Sequence, residues 1–145
     1  MRNRVAVLHG VNLSALELRP AEHYGGLTFT ALEQRIARFA RELDLTTHFF
    51  QSNHEGDFVE ELHKAAGYTD GLLLNPGAWT HYSWAIRDAL EISGLPAIEV
   101  HLSNVMEREP FRRVSVLEGV VVGKVFGQGV DGYRTGLEQL KAAMQ

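Results

Sequence analysis

The stretch Pro96-Ala97-Ile98-Glu99-Val100-His101 predicts a buried strand that carries two polar side chains. Because side chains alternate along a strand, Glu99 and His101 are expected to point to the same face. A carboxylate beside an imidazole fixes the tautomer of the ring and raises its basicity. Both residues stand at the carboxyl end of the strand, where open α/β sheets bind their ligands. Taken alone, such a pair is more often structural than catalytic, so a catalytic role needs support from other parts of the sequence.

Length and composition predict one soluble globular domain. The chain has 145 residues, which fits a single domain over residues 1–145. A net charge of −4 gives no electrostatic basis for binding nucleic acid or an anionic membrane. The absence of cysteine excludes disulfides and thiolate catalysis. The first residues have no signal-peptide core, and no apolar run approaches ~18 residues, so a cytoplasmic protein is expected.

Short apolar runs alternate with amphipathic stretches along the whole chain. Strand-forming runs occupy residues 5–8, 45–51, 71–74, 96–101 and 119–126, and helical patterns occupy residues 30–43, 58–66, 81–93 and 131–144. The motif Thr30-Ala31-Leu32-Glu33 resembles a capping box and predicts the start of the first long helix. This alternation predicts a flavodoxin-like, doubly wound sheet of five parallel strands with helices on both faces.

Polar residues follow four of the predicted strands, at residues 9–12, 51–56, 75–81 and 99–104. In a parallel sheet these segments meet at one edge. Each segment alone is weak evidence, because Asn, Gly and Ser are also typical of turns. Together they indicate a site for a small, oxygen-rich molecule.

A long connection over residues 11–27 separates the first strand from the first long helix and has the length of a lid. It contains Arg19 and Tyr24, followed by a possible hinge at Gly25-Gly26. A tyrosine acts as a base only if its pKa near 10 is lowered, and a neighbouring guanidinium has that effect. The spacing alone is also compatible with a structural role, in which Arg19 is a surface residue and Tyr24 packs under the loop.

Other conspicuous side chains do not form a recognisable motif. His54, Glu55 and His63 lack the spacing of a metal site, and none is expected. The aromatic residues Trp79, Tyr82 and Trp84 are expected to be packing groups.

Several sequence blocks, in order and with matching spacing, carry a family resemblance. They are Asn12-Leu13, Arg19, Tyr24-Gly25, Gln51-Ser52-Asn53-His54-Glu55-Gly56, Asn75-Pro76-Gly77-Ala78-Trp79-Thr80-His81, Arg87-Asp88-Ala89-Leu90, Ile98-Glu99-Val100-His101-Leu102-Ser103-Asn104, Arg108-Glu109-Pro110-Phe111-Arg112 and Gly132-Tyr133. On these blocks the chain resembles type II 3-dehydroquinate dehydratase (type II dehydroquinase) along nearly its whole length. The resemblance implies a flavodoxin-like fold assembled as trimers, usually four to a dodecamer. It also implies reversible dehydration of 3-dehydroquinate to 3-dehydroshikimate with no metal or organic cofactor.

The resemblance also implies roles for individual residues. Tyr24 would be the base, Arg19 would keep it ionised, and Asn12 would help to stabilise an enolate through an ordered water. His101, oriented by Glu99, would be the general acid. The substrate would be held by Asn75, His81, Arg112, the backbone at Leu102 and Ser103, and Asp88 of a neighbouring subunit.

The chain departs from the usual family pattern near the lid, at His9, Val11, Glu17, Pro20 and Ala21. One alternative function is therefore a non-catalytic ligand-binding protein on the same scaffold with an altered lid. Another is a flavodoxin-like cofactor or signalling domain. A flavin carrier would copurify yellow, and a receiver domain would carry an acidic cluster after the first strand, which residues 9–12 lack.

Overall fold

Strands and helices alternate in the computed structural model, which describes residues 1–145. The strands are β1 (Arg4–His9), β2 (Thr46–Gln51), β3 (Gly71–Asn75), β4 (Ala97–His101) and β5 (Gly123–Phe126). The helices are α1 (Ala21–Tyr24), α2 (Phe29–Glu42), α3 (Glu55–Ala65), α4 (Trp84–Ser93) and α5 (Asp131–Met144). Short 3-10 turns span Leu13–Leu18, Gly77–His81, Val105–Glu107 and Pro110–Arg113. None of the helices has the length and apolar character needed to cross a bilayer.

The five strands form one parallel sheet in the order β2-β1-β3-β4-β5. This is the flavodoxin-like order, and the predicted doubly wound architecture is confirmed. In the register of the sheet, His9 pairs with Gln51 on one side and with Asn75 on the other. The carboxyl ends of these strands therefore lie level, and the loops that follow them meet at one edge.

Both faces of the sheet are covered, which explains the continuous apolar runs of the inner strands. Leu73 belongs to the core under α2 and α5, whereas Leu72 and Leu74 belong to the core under α3 and α4. All three side chains are fully buried. Burial of a leucine side chain contributes roughly 1.5–3 kcal/mol, so this strand anchors both layers.

The predicted capping box is wrong, because Thr28 rather than Thr30 caps α2. The Thr28 hydroxyl accepts a hydrogen bond from the Ala31 amide at 3.0 Å. Glu33 lies in the second turn of the helix instead, with its Oε2 3.2 Å from Nε2 of His9. The His9 ring is fully buried between Phe29 and Phe49, so this departure from the family pattern lies in the core below α2, where neither ring nitrogen has a partner in hydrogen-bond geometry.

Two other elements start later than the sequence pattern predicts. Residues 77–81 form a 3-10 turn, and α4 begins only after Ser83, whose hydroxyl accepts from the Ile86 amide at 3.1 Å. Strand β5 begins at Gly123 rather than at residue 119, because Gly119 adopts a φ of 92° that breaks an extended chain.

A close approach of two backbones forms the base of the sheet edge. A Cβ atom on Gly10 would lie 2.2 Å from the carbonyl oxygen of Pro76, and one on Gly77 would lie 2.6 Å from the carbonyl oxygen of Val11. Only glycine allows the loops after β1 and β3 to touch in this way. The contact places the start of the long connection directly beside the loop after β3.

Candidate active site

A pocket of about 400 Å³ opens at the carboxyl edge of the sheet. Its lining includes these residues proposed from the sequence: Asn12, Arg19, Tyr24, Asn75, His81, His101, Leu102, Ser103 and Arg112. Three arginines, Arg19, Arg108 and Arg112, line the pocket, and no aspartate or glutamate does. Its charge therefore suits an anionic ligand.

The phenol of Tyr24 is held between two guanidinium groups. Nη2 of Arg19 donates to the Tyr24 hydroxyl oxygen at 2.6 Å, and Nη1 of Arg108 donates to it at 2.7 Å. The same guanidiniums lie against the tyrosine ring, at 4.4 Å and 5.4 Å from its centre. Two guanidinium groups thus converge on one phenol oxygen and fix its position in the pocket.

His101 and Glu99 lie on the same face of β4 and contact each other. Nε2 of His101 is 2.5 Å from Oε2 of Glu99. Glu99 is fully buried behind the imidazole, whereas His101 lines the pocket. Since Nε2 is committed to the carboxylate, Nδ1 is the ring nitrogen that remains to exchange a proton with a ligand.

Two hydroxyl groups complete the surroundings of the Glu99 carboxylate. Ser115 donates to Oε1 at 2.8 Å, and Thr80 donates to Oε2 in a short hydrogen bond. Burial by itself raises the pKa of Glu99, but the hydrogen bond and charge of His101 and the two hydroxyl donors outweigh it and lower the pKa. The carboxylate is thus ionised in spite of its burial.

Asn75 at the end of β3 is fixed on both ends of its amide. Its Oδ1 accepts from the Gly77 amide at 3.1 Å, and its Nδ2 donates to the hydroxyl of Tyr133 at 3.3 Å. Burial raises the pKa of Tyr133 to about 12, so its hydroxyl stays protonated and available as an acceptor. The Tyr133 contact explains how a residue of the last helix supports the site.

His81 is held as a neutral ring with a defined tautomer. Burial lowers the pKa of His81, and its Nδ1 donates to the carbonyl oxygen of Val114 at 2.7 Å. Nε2 is consequently free to accept a hydrogen bond from a ligand hydroxyl in the pocket.

Asn12 adopts a left-handed backbone conformation with φ of 71° and ψ of 0°. Its amide donates to Oδ1 of Asn53 at 2.9 Å, and Nδ2 of Asn53 donates to the hydroxyl of Ser14 at 3.3 Å. Gln51 adds hydrogen bonds to the carbonyl oxygen of Gly10 and to Asn53, each at 3.2 Å. The loop after β2 thus fixes the start of the long connection, a contact that the sequence analysis did not predict.

Asp88 does not belong to the pocket of its own chain. It is exposed on α4 and does not line the cavity. Leu102 and Ser103, by contrast, are both buried and line the pocket directly after β4.

Sequence reasoning missed Arg108, Thr80 and Ser115 as functional candidates. Arg108 reaches Tyr24 from a loop 84 residues away, and its guanidinium also donates to the hydroxyl of Ser103 at 3.3 Å. The only available signal was that Arg108 and Thr80 lie within the blocks that resemble the family. Ser115 lies outside these blocks, and nothing in its local pattern indicates a contact with β4.

An exposed apolar set of side chains lies near the pocket residue His81, whose ring contacts Phe111 and the backbone of Val114. It consists of Tyr82, Trp84, Phe111 and Val114, with exposed fractions of 60%, 63%, 52% and 53%. Of the three aromatic residues predicted to be packing groups, Trp79 is buried, but the prediction is wrong for Tyr82 and Trp84 within one chain. Clustered exposed aromatic groups are typical of surfaces that contact another molecule.

The sheet and the pocket at its carboxyl edge define a flavodoxin-like α/β protein whose pocket is lined by a tyrosine, two histidines and three arginines. The family model described as Dehydroquinase class II matches residues 3–141, so the chain belongs to the class II dehydroquinase family.

Individual relatives agree with this assignment over nearly their full lengths. A protein of Caldicellulosiruptor saccharolyticus named 3-dehydroquinate dehydratase is 44% identical, with 95% of this chain and 96% of that protein covered. One of Pseudomonas putida named 3-dehydroquinate dehydratase 2 is 46% identical, with 100% and 97% covered. The crystal structure of type II dehydroquinase from Butyrivibrio crossotus superposes with a TM-score of 0.92 at 41% identity, covering 97% of this chain and 98% of that one.

Proposed function

We propose that this protein is a 3-dehydroquinate dehydratase of the shikimate pathway, a hydro-lyase that converts 3-dehydroquinate to 3-dehydroshikimate by trans elimination of water through an enolate. The observation that carries the proposal is a tyrosine oxygen held by two guanidiniums in the same pocket as a histidine backed by a buried carboxylate. One group suits removal of a proton, and the other suits delivery of one.

The first step is removal of the proton from the carbon beside the ketone. Tyr24, as the phenolate that Arg19 and Arg108 favour, takes this proton, and its electrons move onto the ketone oxygen to form the enolate. The enolate oxygen needs hydrogen-bond donors. Asn12 supplies them through an ordered water, and its fixed backbone supports that position.

The second step breaks the bond between carbon and the leaving hydroxyl. The enolate oxygen re-forms the ketone, and the electron pair of the enolate double bond moves to form the new double bond to the carbon that bore the hydroxyl. His101 gives its proton to the departing oxygen, which leaves as water. Glu99 orients His101 and stabilises the imidazolium. Acid and base roles thus fall on different residues from different elements.

The remaining polar groups hold the substrate. Its carboxylate and hydroxyls are bound by Asn75, His81, Arg112 and the backbone at Leu102 and Ser103, and the segment 11–27 closes over it. The excess of guanidiniums over carboxylates in the pocket supports an anionic substrate of this kind.

The direct test is the appearance of enone absorbance after purified protein is mixed with 3-dehydroquinate. We expect turnover without any added cofactor and without loss of rate in EDTA. Binding of 3-dehydroquinate in calorimetry with no enone formed would instead support the non-catalytic binding protein. Loss of activity in EDTA that a divalent metal restores would refute the metal-free mechanism.

We further propose that the active form is a trimer, with four trimers in a dodecamer. The exposed apolar surface beside the pocket supports a partner there, and Asp88 lies outside the pocket of its own chain. In this arrangement Asp88 completes the site of a neighbouring subunit.

Subunit complementation tests the shared site. Asp88→Asn and Tyr24→Phe subunits are each expected to be nearly inactive, but subunits mixed after dissociation should regain activity, because some sites then combine an intact tyrosine with an intact aspartate. If light scattering shows a monomer and the enone assay shows that this monomer is fully active, the proposed assembly is refuted. The proposed reaction would not be affected by that result.

A further inference from the structure

The hydrogen bond to His101 is not enough to offset the free-energy cost of burying the Glu99 carboxylate. The carboxylate is fully buried, and burial of an ion is strongly unfavourable unless hydrogen bonds replace its water. Two groups outside the proposed acid–base set, the hydroxyls of Thr80 and Ser115, supply that replacement.

We propose that Thr80 and Ser115 are positioning residues of the dehydration: their hydroxyls hold the Glu99 carboxylate ionised and oriented, so that His101 keeps the proton that it delivers to the leaving group. This inference rests on the proposed function.

The hydrogen atoms of the two hydroxyls can be counted. Ser115 Oγ accepts from the Leu117 amide at 3.2 Å, so its own hydrogen points to Oε1 of Glu99, 2.8 Å away. Thr80 donates to Oε2 and lies 3.0 Å from Ser115 Oγ. Since a hydroxyl has one hydrogen, both are used on the carboxylate. A proton on Glu99 would have to point to Nε2 of His101 or displace one of the hydroxyl donors, and the two donated hydrogen bonds are stronger to the anion than to the neutral acid.

The two hydroxyls are rigidly placed. Thr80 and Ser115 have exposed fractions of 2% and 7%. The backbone amide of Val116 donates to the carbonyl oxygen of Thr80 at 2.8 Å and ties the two segments together. The donors therefore do not have to be ordered when substrate binds.

The consequence falls on the proton of His101. Oε2 of Glu99 receives both the Thr80 hydroxyl and Nε2 of His101. Without the hydroxyl donors, the carboxylate competes for the imidazole proton, and a neutral ring is a poorer acid. His81 is the other titratable ring close enough to interact with this pair, and it is neutral. Hydroxyl departure should thus slow, whereas proton removal by Tyr24 should not.

The test uses Thr80→Val, which replaces the hydroxyl by a methyl group of similar size, and Thr80→Ser as the variant that restores the donor. Loss of a hydrogen bond to a charged group corresponds to a fall of roughly ten- to a hundredfold in kcat for Thr80→Val. KM should change little, because Thr80 does not line the pocket. Thr80→Ser should remain within about threefold of the wild type in kcat, since it retains the donated hydrogen bond.

A second measurement separates positioning from general damage. In D2O, return of deuterium to the enolate labels unreacted 3-dehydroquinate, which mass spectrometry detects. For Thr80→Val, exchange should persist while dehydration falls, so the ratio of exchange to dehydration rises by about the factor lost in kcat. Ser115→Ala should act in the same direction, and the double variant should lose less than the product of the two effects, because both hydroxyls serve one carboxylate.

Equal kcat values for Thr80→Val, Thr80→Ser and the wild type would overturn the inference. A parallel loss of exchange and dehydration in Thr80→Val would also overturn it, since that is the result of a merely structural defect. If Thr80→Val does not fold, wild-type kinetics in Ser115→Ala would overturn it equally. An inactive wild-type enzyme, with neither exchange nor dehydration, would instead refute the proposed function.

Discussion

Removal of one oxygen atom, in Tyr24→Phe, tests the assignment of the base most directly. The phenyl ring keeps its packing against the core of α2 and α5, but the acceptor of the two guanidinium hydrogen bonds, at 2.6 Å and 2.7 Å, disappears. General base catalysis typically contributes 10²–10⁴-fold, so kcat should fall at least ~10²-fold, which corresponds to about 2.7 kcal/mol of transition-state stabilisation. KM should change less than about fivefold, because the ring and the arginines still shape the pocket.

Tyr68→Phe is a matched control for this variant. Its hydroxyl takes part in a hydrogen bond of the same length, 2.6 Å, in which it donates to Glu61 rather than accepts, and Tyr68 lies outside the pocket. The loss of the Tyr68 hydroxyl should therefore leave turnover in the enone assay unchanged, while Tyr24→Phe loses turnover. Turnover of Tyr24→Phe within about threefold of the wild type would refute the assignment of the base, since a contribution of at least ~10²-fold is expected.

Three further predictions concern the second guanidinium, the loop contact and one ion pair. Arg108→Met should lower kcat roughly ten- to a hundredfold by removing one of two charged donors to the base, and unchanged kinetics would limit that role to Arg19. Gly10→Ala should destabilise the protein by about 1–3 kcal/mol in urea unfolding, because the added methyl group would lie 2.2 Å from the carbonyl oxygen of Pro76. Gly56→Ala is the control and should not be destabilising, since a Cβ atom there has no atom within 4 Å. Hydrogen bonds from Arg4 lower the pKa of Asp70 from 3.8 to about 2, so its ionisation stabilises the fold above pH 3.8 and this contribution disappears as the pH falls to about 2. The difference in unfolding free energy between the wild type and Asp70→Asn should shrink over that interval, and a constant difference would contradict the assignment.

Local pattern was sufficient to predict the elements that form the sheet. Strand β3 is apolar at every position before Asn75. In β4, apolar residues alternate with Glu99 and His101, which places these two polar side chains on one face. Both strands could therefore be located from composition and periodicity. The errors arose where two candidates compete locally. Thr28 and Thr30 are both good capping residues, so residue type alone does not distinguish them, and in the structure Thr28 makes the capping hydrogen bond.

The site was predictable where its residues follow strands and hidden where its contacts are long-range. Asn75 and His101 end β3 and β4, so their convergence follows from the parallel sheet alone. The contact of Thr80 with Ser115 spans 35 residues, and that of Arg108 with Tyr24 spans 84. No periodicity encodes such contacts, because they depend on how loops cross the sheet edge. The wrong expectation for Tyr82 and Trp84 has the same origin, since a single sequence does not distinguish burial within a chain from burial between chains.

The proposed base and the proposed acid are carried by parts of the molecule that differ greatly in burial. No residue of α1, which bears Tyr24, is buried, whereas every residue of β4, which bears His101, is buried. Segments with little burial open with small free energies, and core strands open only when the whole fold does. On heating, the enzyme should therefore lose its activity reversibly at a temperature below the calorimetric transition. The backbone amides of residues 21–24 should exchange with solvent far sooner than those of residues 97–101. Local opening of α1 would then separate Tyr24 from His101 while the rest of the protein is still folded.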